Sequence, residues 1–251
     1  MTLKNVFLIA LALALAGSLV LNYFFYKRAF IPLQSAKLDP IGLDYYSSES
    51  TSSKPEGVPE VMLYGDSRAL SWGPYETTEL HFTNRAIGNQ TSTQIVQRFK
   101  THAAAHKPQV LLVQMCVNDL KMIPLFPNKR ERIIQDCKDN IQLLINEARQ
   151  INSKVVLTTV FPLGDISIFR NVLGITEAPI IEGIAQVNEY IKTLASGDIL
   201  IFDSYDLLLG EDLKINPAYS SDWLHLNAAG YKHLNSHLSE FLKQKIIANP
   251  L

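Results

Sequence analysis

The chain has 251 residues, 47% of them hydrophobic and only 19% charged, below the roughly 25% charged residues of an average globular protein. That excludes a disordered, charge-rich chain and allows one domain with an appendage. Its 23 Lys and Arg against 24 Asp and Glu give a formal net charge of −1, with no block of like charges, so nothing marks a nucleic-acid surface. Two cysteines exclude a disulfide-dense scaffold and a four-cysteine zinc site.

No charged residue lies between Lys4 and Lys27. As a helix, residues 5–26 would be about 33 Å long, enough to cross a bilayer core of about 30 Å. The aromatic run Tyr23, Phe24, Phe25 and Tyr26 falls where an interfacial belt would sit. This predicts a membrane anchor over residues 1–33. A cleaved signal peptide is the rival reading, because Ala14-Leu15-Ala16 has the A-x-A form. The apolar run continues past that point, which favours an uncleaved signal-anchor. Residues 34–59 are rich in Ser, Pro and acidic residues without apolar periodicity, and predict a linker. Residues 60–251 then form the globular domain.

Short apolar strands are predicted over residues 61–64, 81–87, 110–115, 155–160 and 199–202. Helical stretches lie between them. Ile133, Ile134, Cys137, Ile141, Leu144, Ile145 and Ala148 recur at the spacing of one helix face. Further helices are predicted over 91–105, 180–194 and 227–247. Strands alternating with helices imply an α/β fold, a parallel sheet covered on both faces. Ligands of such sheets sit beyond the carboxyl ends of the strands.

Those ends carry four motifs: Gly65-Asp66-Ser67, Gly88-Asn89, Asn118-Asp119 after Cys116, and Asp222-Trp223-Leu224-His225 before the last helix. Each alone has a bland reading, as a capped turn, a turn glycine, a loop or a surface histidine. Four in order, each at a strand end or helix start, point to chemistry. A serine hydroxyl is a poor nucleophile until a base takes its proton. Ser67 is the candidate nucleophile and His225 the base. Asp222, three residues earlier, is spaced to hold the imidazole from the same side of a turn.

Together the motifs resemble the SGNH hydrolases, the GDSL esterase/lipase family, over essentially all of residues 60–251. The resemblance implies a flavodoxin-like three-layer α/β/α sandwich with about five parallel strands. It implies a triad of Ser67, Asp222 and His225. It also implies an oxyanion hole made by the backbone N–H groups of Ser67 and Gly88 and the Asn118 amide. It implies ester hydrolysis through an acyl-serine intermediate without metal or organic cofactor. The context is not G-x-S-x-G, so the α/β-hydrolase elbow is a poor match. One departure stands out. The family usually has glycine where this chain has Cys116, which predicts a thiol beside the oxyanion hole and a narrower pocket. Cys137 reads as a small core residue, and a Cys116–Cys137 disulfide is left open. Asp66 and Asp119 are expected to organise their loops.

Pocket walls are expected from residues 68–80, 120–130 and 162–180, with Cys116, Met122, Phe126 and Phe169 as candidate pocket residues. The apolar side chains of the last two segments mildly favour an acyl chain over an acetyl group. His102 and His106 are four apart, as are His233 and His237, without acidic or cysteine ligands nearby. Solvated helix positions are the expectation for them, not metal sites. His81 is expected to be a strand residue. The functional expectation is a membrane-anchored serine esterase or lipase, acting on an acyl ester of a lipid or an acylated glycan. The alternatives are an envelope glycan O-acyltransferase or deacetylase, and a non-catalytic membrane-tethered binding module. No nucleic-acid partner is expected, and the sequence leaves the oligomeric state open. The charges flanking the apolar run are nearly balanced, but a short basic start before a long apolar segment is also the pattern of a signal-anchor that exports its C-terminal domain. Asn89-Gln90-Thr91 is a glycosylation sequon beside Gly88, where a glycan would crowd the site. A hydrolase domain outside the cytoplasm, in a bacterial envelope, is the expectation.

Overall fold

The computed structural model describes residues 2–46, 57–73 and 78–248. Most of the expected linker (47–56) and part of the first expected pocket wall (74–77) lie outside the described residues. The chain divides into two compact units, Met1–Ile41 and Gly42–Leu251.

The first unit is one helix, α1 (Leu3–Leu38), with no buried residue and Pro32 inside it. Its apolar, charge-free stretch is long enough to cross a bilayer. The helix runs beyond the apolar run into residues expected as linker.

The second unit is an α/β fold. Its strands β1 (Glu60–Gly65), β2 (His81–Asn84), β3 (Val110–Gln114), β4 (Lys154–Thr158) and β5 (Ile199–Phe202) are all parallel, in the order β2-β1-β3-β4-β5. Between and around them run α2 (Ser67–Leu70), α3 (Ser92–Gln97), α4 (Val117–Leu120), α5 (Arg130–Gln150), α6 (Ile168–Val172), α7 (Ala178–Thr193), α8 (Ser204–Leu208) and α9 (Ala228–Leu242). Strand side chains alternate between faces. Met62, Tyr64, Leu111, Val113, Val155 and Leu157 pack with the apolar faces of α5 and α7. Val61, Leu63, Val110, Leu112 and Val156 pack with Trp72 and α9. Both faces are therefore covered, which gives the expected three layers.

Three departures from the expected elements are local. The helix expected over 91–105 ends as α-helix at Gln97 and resumes as a π-helical turn, Lys100–Ala104. At the break the buried Arg98 turns inward. Its guanidinium donates to Gln90 Oε1, the Arg85 carbonyl and the Gly65 carbonyl at 2.5, 2.6 and 3.0 Å, and lies 4.2 Å from the Tyr64 ring centroid. The last helix also finishes in a π turn, Lys243–Ile247. Residues 42–46, expected as linker, are packed onto the sheet unit. The Tyr46 hydroxyl donates to the Ala86 carbonyl at 2.5 Å, its ring faces the Arg85 guanidinium at 4.9 Å, and the Leu43 carbonyl lies 3.0 Å from His102 Nε2. His102 is thus buried, contrary to the solvated position expected for it, because residues 42–46 cover it.

Gly65 ends β1 with φ +152°, and a Cβ there would lie 1.8 Å from the Gln114 carbonyl oxygen. The close approach lets Asp66 N–H donate to that carbonyl at 3.2 Å, which aims the following turn. Gly65→Ala combines backbone strain with a clash against β3 backbone, and should cost about 3 kcal/mol or more. A thermal midpoint within a degree or two of wild type would contradict this account.

Candidate active site

The site forms where β1, β2 and β3 end. β1 delivers Ser67 to the start of α2, with Asp66 as N-cap accepting from Arg68 N–H at 2.9 Å. The loop before α9 delivers His225, whose Nε2 is 2.9 Å from Ser67 Oγ. Its Nδ1 is 2.9 and 3.0 Å from the two carboxylate oxygens of Asp222. Asp222 also accepts from the backbone N–H groups of Leu224 and His225, at 2.7 and 2.8 Å. Burial pushes its pKa up, but the hydrogen bonds from His225 and those backbone groups win and hold it below the usual carboxylate value.

Gly88, beyond β2, packs against the serine: a Cβ there would sit 3.9 Å from Ser67 Cβ. Asn118, on α4 after β3, is buried and donates through Nδ2 to the Gln90 carbonyl at 2.9 Å. The four sequence motifs thus meet at one place. Asp119 binds α4 to α3, accepting from Ser92 N–H and Oγ at 2.8 Å each, as expected of a loop-organising residue. Among the described residues no group of three or more His, Cys, Asp or Glu side chains is placed to hold a metal ion.

The GDSL-like lipase/acylhydrolase family model matches residues 57–233. The chain belongs to that family. Solved structures agree on the fold. A protein assigned as an acylhydrolase from Bacteroides fragilis is 21% identical, with TM-score 0.63, covering 82% of this chain and 98% of its own. A GDSL-like lipase from Bacteroides thetaiotaomicron is 18% identical, with TM-score 0.63, covering 82% of this chain and 99% of its own. An acetyl xylan esterase is 16% identical, with TM-score 0.53, covering 72% of this chain and 98% of its own. No curated protein sequence is significantly similar to the chain.

Two expectations about this GDSL hydrolase need correction. Cys116 does not line a cleft: it is wholly buried within the core beneath α5, in the same apolar cluster as Cys137, and both thiols are free. Its φ of +86° is the left-handed conformation for which glycine, the usual family residue, is suited. Phe169 is 71% exposed on α6, on the outer surface and not inside a pocket. Met122 is half-buried and Phe126 exposed, whereas Ile123 and Ile166, from the same expected walls, are core residues.

Two cations were not singled out from the sequence. Arg68 follows Ser67 and is fully buried. Its guanidinium donates to the carbonyls of Leu224, Phe161 and Pro162 at 2.8, 3.0 and 3.2 Å. Lys121 donates to Asn118 Oδ1 at 2.5 Å and Asn89 Oδ1 at 3.1 Å. Its helical spacing of three from Asn118 was the signal available; for Arg68 there was none, because its partners are backbone groups remote in sequence.

Burial raises the pKa of Asp66 to about 6, outweighing the attraction of Arg68; burial raises Asp119 to about 6 as well, outweighing its bonds from Ser92. One buried oxygen of Asp66, Oδ2, has no hydrogen-bond partner, so a negative charge there is poorly solvated. In the unfolded chain an Asp titrates near 3.9, so the neutral form favours folding at low pH and that stability is lost as pH rises through about 6. Asp66→Asn keeps the N-cap acceptor and removes the titration. Its stability relative to wild type should rise by about 2–3 kcal/mol between pH 4 and pH 7, read from urea unfolding at both pH values. A difference that is flat with pH would show that Asp66 is ionised throughout.

Proposed function

We propose that this chain is a membrane-anchored serine esterase in which Ser67, His225 and Asp222 carry the reaction. The observation that supports it is the unbroken chain of contacts from Ser67 Oγ through the imidazole to the Asp222 carboxylate. In this reading His225 Nε2 takes the Ser67 proton as Oγ attacks the ester carbonyl. Asp222 holds Nδ1 and stabilises the imidazolium. The tetrahedral oxyanion receives hydrogen bonds from the Ser67 and Gly88 backbone N–H groups and from the Asn118 amide. His225 then protonates the departing alcohol, leaving an acyl-Ser67 ester. Water, deprotonated by His225, releases the acid and restores the serine. Lys121, bonded to Asn118 Oδ1, fixes which way that amide faces and strengthens its N–H as a donor.

The apolar α1 supplies the anchor, and a short basic start before it suits a signal-anchor that exports the hydrolase domain. Two C-terminal fusions report this orientation, alkaline phosphatase and a fluorescent protein that matures only in the cytoplasm. An active phosphatase is expected; a bright reporter with a silent phosphatase would reverse the topology.

For the chemistry, p-nitrophenyl esters of increasing chain length should be hydrolysed by wild type, with a fluorophosphonate labelling Ser67 alone. Ser67→Ala should abolish turnover with an unchanged thermal midpoint. Activity retained by Ser67→Ala would reject the nucleophile, and acetyl-only activity would favour the glycan deacetylase reading. Asn118→Ala should lower kcat by about 10²–10³ with a smaller change in KM. Lys121→Met should lower kcat by about tenfold, in line with an indirect role. A change confined to KM in either variant would make these ground-state binding groups.

A further inference from the structure

The helix α6 carries an exposed apolar set. Ile168, Phe169, Val172 and the adjoining Leu173 are exposed by 83, 71, 78 and 57%, and no residue of the helix is buried. Their spacing of one, four and five places them along one side of the helix. Arg170, at the edge of this set and itself exposed, has its guanidinium 5.0 Å from the ring centroid of the buried Trp223. A single exposed apolar side chain is ordinary, whereas a contiguous set marks an interaction surface.

The set continues past the helix. A Cβ at Gly174 would lie 4.0 Å from Leu125 Cδ2, and Leu125 and Phe126 are exposed by 48 and 44%. The Lys129 ammonium lies 5.4 Å from the Phe126 ring centroid. Trp223 immediately follows Asp222, so this surface adjoins the loop that carries His225. It is apolar, edged by Arg170 and Lys129, and beside the reaction site.

We propose that α6, with Leu125 and Phe126, rests in the headgroup region of a lipid bilayer, so that Ser67 receives an acyl ester presented by the membrane. This rests on the reading of the chain as a membrane-anchored esterase. Apolar side chains with flanking cations match an anionic lipid surface, the former entering the acyl boundary and the latter meeting phosphates. A bilayer-length apolar helix in the same chain, with the flanking cations, favours the bilayer over a second copy or a peptide. Only Asp39, Pro40 and Ile41 separate the end of α1 from residues 42–46. Those residues bond to Ala86 and approach Ile87 and Gln90, which flank Gly88. Residues 42–46 of the sheet unit therefore lie beside Gly88. An ester leaving such a bilayer meets apolar side chains before it meets water.

The test uses the full chain in nanodiscs of phosphatidylcholine and phosphatidylglycerol. Val172→Trp should show fluorescence quenching by brominated phosphatidylcholine beyond that of the wild-type Trp72 and Trp223. The double variant Val172→Ser, Leu173→Ser should lose about 10- to 100-fold in kcat/KM on a long-chain ester embedded in the nanodisc. Its activity on a soluble acetyl ester should stay within twofold. Absence of added quenching overturns the proposal, as does an equal loss on both esters. A dimer in detergent that the double variant converts to monomer would assign the surface to a second copy. A wild-type chain inert toward both esters would instead reject the esterase reading, while the quenching measurement still decides the surface.

Discussion

The buried guanidinium of Arg68 is the interaction on which the site depends. It sits one residue after Ser67 and holds the carbonyls of Phe161, Pro162 and Leu224. The Arg68 carbonyl in turn accepts from the Tyr231 hydroxyl at 2.9 Å. One side chain thereby joins the turn after β1, the loop after β4 and the loop that carries Asp222 and His225. The contact between Ser67 and His225 spans 158 residues of sequence. Burial lowers the Arg68 pKa to about 10, partly offset by Asp66, so the group remains charged at neutral pH. A charge placed there is tolerable because its N–H groups meet carbonyls in a fixed fork.

Arg98 plays a matching part on the other side of β1. It holds the carbonyls of Gly65 and Arg85 together with Gln90. Gly65 precedes the Ser67 turn and Gln90 comes just after Gly88. Gln90 also offers its carbonyl to Asn118. The second and third motifs are thus set against the first by a buried cation, with no carboxylate among these three partners. Both arginines hold backbone that would otherwise leave carbonyls buried beside the cleft, where an unmet polar group is costly. The rigidity this confers is what a preorganised set of donors requires.

The same end of the sheet combines a polar interior with an apolar exterior. Asp66 and Asp119 are buried acids whose neutral forms the fold favours, while α6 carries its apolar side chains outward. Both features lie close to Ser67 and His225 in the structure.

Much was legible in the sequence because it depends on short-range pattern. Alternating apolar runs and a helical stripe determined five parallel strands and the helices covering them, within a few residues at each end. The four motifs and their order determined which side chains meet, since strand ends of a parallel sheet converge on one edge. The charge-free run determined a long apolar helix. What only the tertiary structure decided depends on partners distant in the chain. Cys116 shows it: its left-handed backbone and the core it shares with Cys137 bury a thiol expected beside the cleft. His102 shows it too, buried under residues 42–46 that composition alone assigned to a linker. The roles of Arg68 and Arg98 were equally hidden. A buried arginine is recognised by the carbonyls around it, and carbonyls carry no trace in the sequence of where the fold will bring them.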